Sequence, residues 1–109
     1  ADTGRAAYKI RLTAAGYYYF WALCNWHDGC GNSFFVKIGD KPAAVVGQDG
    51  TYQLWHWVRG PAMQLAAGTY TVIVQYREDG ARMDQFMLVT DRRVIPVGKQ
   101  TATPGYLVH

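Results

Sequence analysis

The chain has 109 residues, and 50% of them are hydrophobic, which predicts one globular domain with a core that forms without a metal or several disulfides. Its 11 Lys and Arg residues outnumber its 8 Asp and Glu residues, which gives a formal net charge of +3. The basic residues are dispersed along the sequence, which disfavours nucleic-acid binding. No apolar segment approaches the roughly 20 residues of a membrane-spanning helix.

Short strands are predicted along the whole chain. Residues 6–12 alternate between apolar and charged side chains, which is typical of a half-buried strand. Two aromatic and β-branched runs, 17–24 and 33–38, flank a Gly- and Asn-bearing loop, so we expect an antiparallel hairpin with 17–24 as a central strand. Further strands are predicted at 43–46, 52–58, 63–65, 70–77 and 83–90. Gly60 and Pro61 should end the strand over 52–58. The last two strands should pair as a hairpin around the turn 78–80. About eight short strands without a helix predict an all-β fold, an antiparallel β-sandwich.

The run 17–24 is apolar on both faces, because Tyr18, Phe20 and Ala22 alternate with a second set of apolar side chains. That second set comprises Tyr17, Tyr19, Trp21 and Leu23. One face can enter a sandwich core, and we expect the other to meet a second layer or a ligand.

Cys24 and Cys30 are the two cysteines of the sequence, and their spacing across a turn suits a disulfide. We expect this disulfide to hold the loop that carries Trp26. Together with the high aromatic content and the single Glu, it favours a secreted or cell-surface location.

A series of segments resembles, in order, the jelly-roll, galactose-binding-like carbohydrate-binding modules of secreted bacterial polysaccharide-degrading enzymes. The segments are Gly16–Ala22, Asn32–Ile38, Trp55–Val58, Leu65–Tyr70, Arg77–Asp84, Leu88–Asp91 and Pro96–Gly98. The resemblance implies two antiparallel sheets, a glycan bound on a concave face or at a loop edge, and no catalysis. Members of that family often hold a structural calcium ion with an N-terminal segment that is not part of this sequence, so the resemblance allows calcium without assigning ligands to it.

Glycan recognition needs aromatic rings for the apolar faces of sugars and planar polar groups for their hydroxyls. The predicted carbohydrate-binding residues are Tyr19, Trp21, Trp26, Trp55, Trp57, Arg77, Asp79, Arg82 and Asp84, with His27, Asp28 and His56 as further polar candidates. Core packing is the alternative for each Trp. Trp26 differs, because its position in a Gly- and Asp-bearing loop favours exposure.

No catalytic site is predicted. The single Glu, Glu78, adjoins Asp79 in a turn instead of facing a second carboxylate, as a glycosidase would require. The sequence also lacks a nucleophile elbow and a phosphate-binding Gly-Lys-Ser/Thr motif.

Two functions follow, with the sandwich assigned to 1–98 and a tail to 99–109. The first is a non-catalytic carbohydrate-binding module. The second is a structural subunit of an extracellular filament, completed by a strand from another copy of the chain. The β-forming residues Tyr106–Val108 suit both a vacant edge of their own domain and one of a neighbour, and we favour the neighbour.

Overall fold

The computed structural model describes residues 4–27, 32–76, 81–91, 93, 96 and 107–108. Within these residues the chain forms strands and connecting segments. The strands are β1 (Arg5–Leu12), β2 (Gly16–Trp26), β3 (Ser33–Ile38), β4 (Ala44–Gly47), β5 (His56–Leu65), β6 (Gly68–Tyr76), β7 (Ala81–Val89) and β8 (Leu107–Val108). In the described part of the chain, no helix is long and apolar enough to cross a membrane.

The strands form two antiparallel sheets that pack face to face, which confirms the predicted β-sandwich. A five-stranded sheet has the order β4-β3-β6-β1-β8, and a three-stranded sheet has the order β5-β2-β7. The alternate residues Phe20, Phe34, Val72 and Val74 are among those buried between them. Apolar alternation along each strand therefore supplies the core.

The two predicted hairpins, β2 with β3 and β6 with β7, are wrong. β2 belongs to the three-stranded sheet and β3 to the five-stranded sheet, and β6 and β7 are divided in the same way. Turn-favouring residues permit any reversal of the chain, including a crossover between sheets, so they do not identify the pairing partner. The prediction that β2 is a central strand is confirmed, because β2 pairs with both β5 and β7.

β5 also differs from expectation, because it begins at His56 and continues through Gly60 and Pro61. Proline is tolerated there since β5 is an edge strand, and its pairing with β2 shifts register between Tyr19 and Trp21. Gly60 makes room for the core, because a Cβ atom on it would lie 2.6 Å from Cδ1 of Phe20.

The described end of the tail pairs with its own chain. In β8, Leu107 and Val108 lie opposite Ile10 and Lys9 of β1. These residues therefore cover part of the β1 edge within their own chain, and the pairing of the tail with a neighbouring copy stays a prediction. The predicted boundary at residue 98 lies outside the described residues.

Candidate functional site

The outer surface of the three-stranded sheet is built on the alternation of β2. Tyr18, Phe20, Ala22, Cys24 and Trp26 point inward and are buried. The intervening side chains consequently point away from the core. Tyr17 is 49% exposed, Tyr19 and Trp21 are partly exposed, and Leu23 is nearly covered.

The flanking strands extend this surface. Trp21 lies opposite Arg59 of β5 and Met87 of β7, while Leu23 lies opposite Trp57 and Gln85. Trp57 is therefore a diagonal neighbour of Trp21, within reach of an aromatic side chain. We call the outward-pointing set the aromatic face: Tyr17, Tyr19, Trp21, Leu23, Asn25, Trp57, Arg59, Ala62, Gln64, Arg82, Gln85, Met87 and Val89.

Contacts within the aromatic face orient the rings of Tyr17 and Tyr19. Tyr17 and Tyr19 meet edge to face with centroids 5.4 Å apart. The guanidinium carbon of Arg59 lies 5.0 Å from the centroid of the Tyr19 ring, in cation–π geometry. Three of the predicted binding residues, Tyr19, Trp21 and Trp57, are thus brought together by the fold.

Arg82 and Asp84 lie at one end of this surface. Arg82 is opposite Asn25 of β2, and Asp84 is at the register shift between β2 and β7; both are exposed. The predicted residues Arg77 and Asp79, and the further candidate Asp28, lie outside the described residues.

Trp26 is not an exposed loop residue, so that prediction is wrong. β2 continues through Trp26, which is its last residue and is fully buried. Its ring packs against Phe34 and His56, with centroids 5.9 and 6.3 Å away. The inward alternation of β2 extends farther than the loop composition suggested, so Trp26 cannot offer a face to a ligand.

The segment between β4 and β5 presents a second aromatic group outside the sheets. Tyr52, Leu54 and Trp55 are all exposed, and Trp55 is 48% exposed. Gln53 has a φ of 55° and donates from its backbone N–H to the Trp26 carbonyl over 2.6 Å. A left-handed residue interrupts a strand, which explains why the predicted strand over 52–58 begins only at His56.

His56 and Asp49 are joined by a side-chain hydrogen bond beside this segment. His56 Nε2 is 2.7 Å from Oδ2 of Asp49, and its Nδ1 is 2.8 Å from the Leu54 carbonyl. Both partners are acceptors, so the two bonds form together when the imidazole carries both protons. Burial raises the pKa of the Asp49 carboxyl, but the Thr51 backbone N–H, the hydrogen bond and charge of His56, and the Trp26 indole outweigh it and lower that pKa.

The predicted disulfide is not seen, because Cys24 is a free cysteine whose side chain points into the core. Its Sγ lies 3.5 Å from the Ala22 carbonyl oxygen. Burial, followed by the nearby Asp49 charge, raises the pKa of this thiol, so Cys24 is not poised as a nucleophile. Cys30 lies outside the described residues.

Among the described residues, no group of three or more His, Cys, Asp or Glu side chains could hold a metal ion. Tyr17 and Arg59 are among the members of the aromatic face that were not predicted as binding residues. Alternation placed Tyr17 beside Tyr19 and Trp21, and Arg59 two residues after Trp57, so the period-two pattern contained the signal for both.

Comparison with known proteins supports the fold. No family model matches the chain, and no curated protein matches it. A β-glucosidase structure from Paenibacillus barengoltzii is similar, with a TM-score of 0.65 and 17% sequence identity. The match covers 82% of this chain but only 9% of the β-glucosidase. This chain is therefore similar to a small part of that enzyme. At this identity the similarity concerns the β-sandwich alone.

Proposed function

We propose that this domain is a non-catalytic carbohydrate-binding module that binds a glycan on its aromatic face. One observation carries the proposal: Tyr17, Tyr19, Trp21 and Trp57 lie together on the outer surface of a sheet and are at least partly exposed. An apolar sheet surface of this kind needs a partner. Aromatic rings stack on the apolar faces of sugars, which suits these four side chains.

Polar side chains on the same surface match the other half of sugar recognition. Arg59 lies over the Tyr19 ring, and Asn25, Gln64, Gln85 and Arg82 surround the aromatic residues. Their planar amide and guanidinium groups can bind hydroxyls while the rings hold the apolar side of the sugar. The site therefore fits a neutral oligosaccharide lying along β2.

Two further observations support a role in binding without catalysis. The similar structure is that of a β-glucosidase, of which the match covers only 9%. The residues that define the aromatic face include no carboxylate, and the described carboxylate at its end is that of Asp84, whereas glycoside hydrolysis ordinarily uses two. The filament alternative is not favoured by the described tail, because β8 pairs with β1 of its own chain.

Affinity electrophoresis in gels containing neutral polysaccharides tests the proposal. We expect at least one polysaccharide to retard the protein, and Trp21→Ala and Trp57→Ala each to weaken binding about tenfold or more, as the loss of an aromatic anchor does elsewhere. Phe35→Ala is the matched control, because Phe35 is an exposed ring on the other sheet. It should leave the retardation unchanged.

Circular dichroism distinguishes lost binding from lost folding in these variants. Native spectra with lost retardation support the proposal. Unchanged retardation in both folded Trp variants would exclude the aromatic face, and the absence of retardation by every neutral glycan tested would contradict the proposed function.

A further inference from the structure

The opposite surface of the sandwich carries a concentration of positive charge. Ile10 and Leu12 of β1 point into the core, so Arg5, Lys9 and Arg11 point outward, and all three are exposed. On β3, Val36 and Ile38 are buried while Lys37 between them is exposed. Four cations that are dispersed in the sequence therefore share the outer surface of the five-stranded sheet, which we call the basic face.

Strand register gives the spacing of these charges. β6 lies between β1 and β3, and its Ile73 is opposite both Ala7 and Lys37. With ordinary strand separation and rise, the Cα atom of Lys37 is about 12 Å from those of Arg5 and Lys9, and Lys9 is about 7 Å from Arg11. The cations form a flat array and not a single cluster.

Within the described residues, the outward positions of β1, β3 and β6 contain no carboxylate to balance these charges. Neither of the ion pairs found in the described residues involves the four cations. Like charges held on one surface repel one another, so the arrangement is most stable when an anionic partner covers it. Thr69, Thr71 and Gln75 of β6 lie between the cations and can bind hydroxyl groups.

We propose that the basic face binds an acidic polysaccharide, a polymer whose sugar units carry carboxylates. This is a second binding surface, on the other sheet from the aromatic face, and it does not depend on the proposed function. The charges fit repeated carboxylates along a flexible chain, and the interleaved hydroxyl and amide side chains fit the sugar hydroxyls.

Nucleic acid and lipid fit this surface less well. Single-stranded nucleic acids need several rings on which bases stack, and Phe35 is the single aromatic residue at the described outward positions of β1, β3, β4 and β6. A flat sheet surface also does not enter the major groove as a helix or ribbon does. Phe35 and Val45, the exposed large apolar residues here, lie toward the β4 edge, away from β1.

Calorimetric titration with polygalacturonate at low salt tests the proposal. We expect binding that weakens steeply as sodium chloride is added, because condensed counterions are released when cations neutralise a polyanion. The double variant Lys9→Gln with Lys37→Gln should bind about tenfold more weakly or worse and show a smaller salt dependence.

The matched control is Lys41→Gln with Arg93→Gln, which lowers the formal charge by the same amount, from +3 to +1, at positions off the basic face. It should keep nearly all the affinity. Equal losses in the two double variants would show that net charge alone is responsible and would overturn the site. Tighter binding of a single-stranded DNA of matched charge, or of vesicles containing an anionic lipid, would overturn the choice of partner. The Trp21→Ala variant should bind polygalacturonate normally, which separates this test from that of the aromatic face.

Discussion

The carboxylate of Asp49 holds the segment between β4 and β5 through several donors at once. It accepts the Thr51 backbone N–H over 3.1 Å and the His56 Nε2–H over 2.7 Å. The indole of the buried Trp26 also helps to lower the pKa of Asp49, although its N–H has no hydrogen-bond partner of good geometry. One side chain thus connects the exposed aromatic segment to the core.

Asp49→Asn should therefore destabilise the protein in a pH-dependent way. The folded-state pKa of Asp49 lies below its ordinary value of 3.8, so the ionised carboxylate stabilises the fold above that value and the contribution is lost as the pH falls through the folded-state pKa. We expect a loss of about 1 kcal/mol at pH 6 in urea unfolding, since the pair is partly exposed to solvent. The difference from the parent should shrink progressively as the pH falls below 3.8.

Asp40→Asn is the control, because Asp40 lies in an exposed turn. It should change stability little across the same pH range. A loss for Asp49→Asn that persists undiminished at pH 2 would show that the carboxylate charge is not what stabilises the segment.

The partnership of Asp49 and His56 could not be predicted from the sequence. His56 was a polar candidate there, but Asp49 lies between the predicted strands 43–46 and 52–58 and had no predicted role. Their contact depends on the path of the chain from 48 to 55, in which Gln48 and Gln53 both have positive φ. Such values are uncommon for glutamine, and local composition does not predict them.

Along strand β2, consecutive side chains alternate between the core and the outer surface of the sheet. Phe20 is fully buried, stacks on Phe86 with centroids 5.6 Å apart, and packs above Gly60. Tyr17, three residues earlier, is half exposed. The same strand therefore supplies both the core and the aromatic face.

Alanine substitutions along β2 should follow this alternation. Phe20→Ala should cost about 3–5 kcal/mol, because it removes a large core side chain and leaves a cavity. Tyr17→Ala should cost less than about 1 kcal/mol, because half of its surface is already in water. Urea unfolding of the two variants measures the difference in stability. Similar losses of stability would contradict the assignment of Phe20 to the core and of Tyr17 to the outer face.

At this scale the sequence predicted side-chain direction better than strand pairing. Alternation placed Tyr18, Phe20 and Ala22 on one face of β2, and the structure buries all three. The predicted exposure of Trp26 is wrong because the composition near Gly29 and Gly31 indicates a loop, whereas the alternation of β2 continues to Trp26. Alternation failed for the hairpins because pairing is decided by which sheet a strand joins, and both sheets accept the same apolar pattern.

For the whole molecule, the pairing of β8 with β1 gives the tail a structural role. Leu107 and Val108 provide backbone partners beside Ile10 and Lys9, at an edge of the five-stranded sheet. A strand edge without a partner is a site for association with other chains. The tail therefore stabilises this edge within its own domain.

A chain ending at Gly98 should melt at a lower temperature than the full chain and keep the same mass. Thermal circular dichroism and light scattering measure the two properties. Dissociation of a larger assembly on deletion would instead show that the tail joins copies in solution, and unchanged mass together with unchanged melting would show that β8 contributes nothing.

The alternation of the chain between the two sheets also determines when folding can occur during synthesis. β2 is the central strand of its sheet, yet its partners β5 and β7 begin only at His56 and Ala81. A nascent chain therefore carries its most aromatic segment without either neighbour until most of the domain has emerged from the ribosome. Pairings this distant in sequence form slowly and leave apolar strands open to aggregation meanwhile. We expect the domain to fold only after β7 is available, so its yield in cells depends on protection of β2 during that interval.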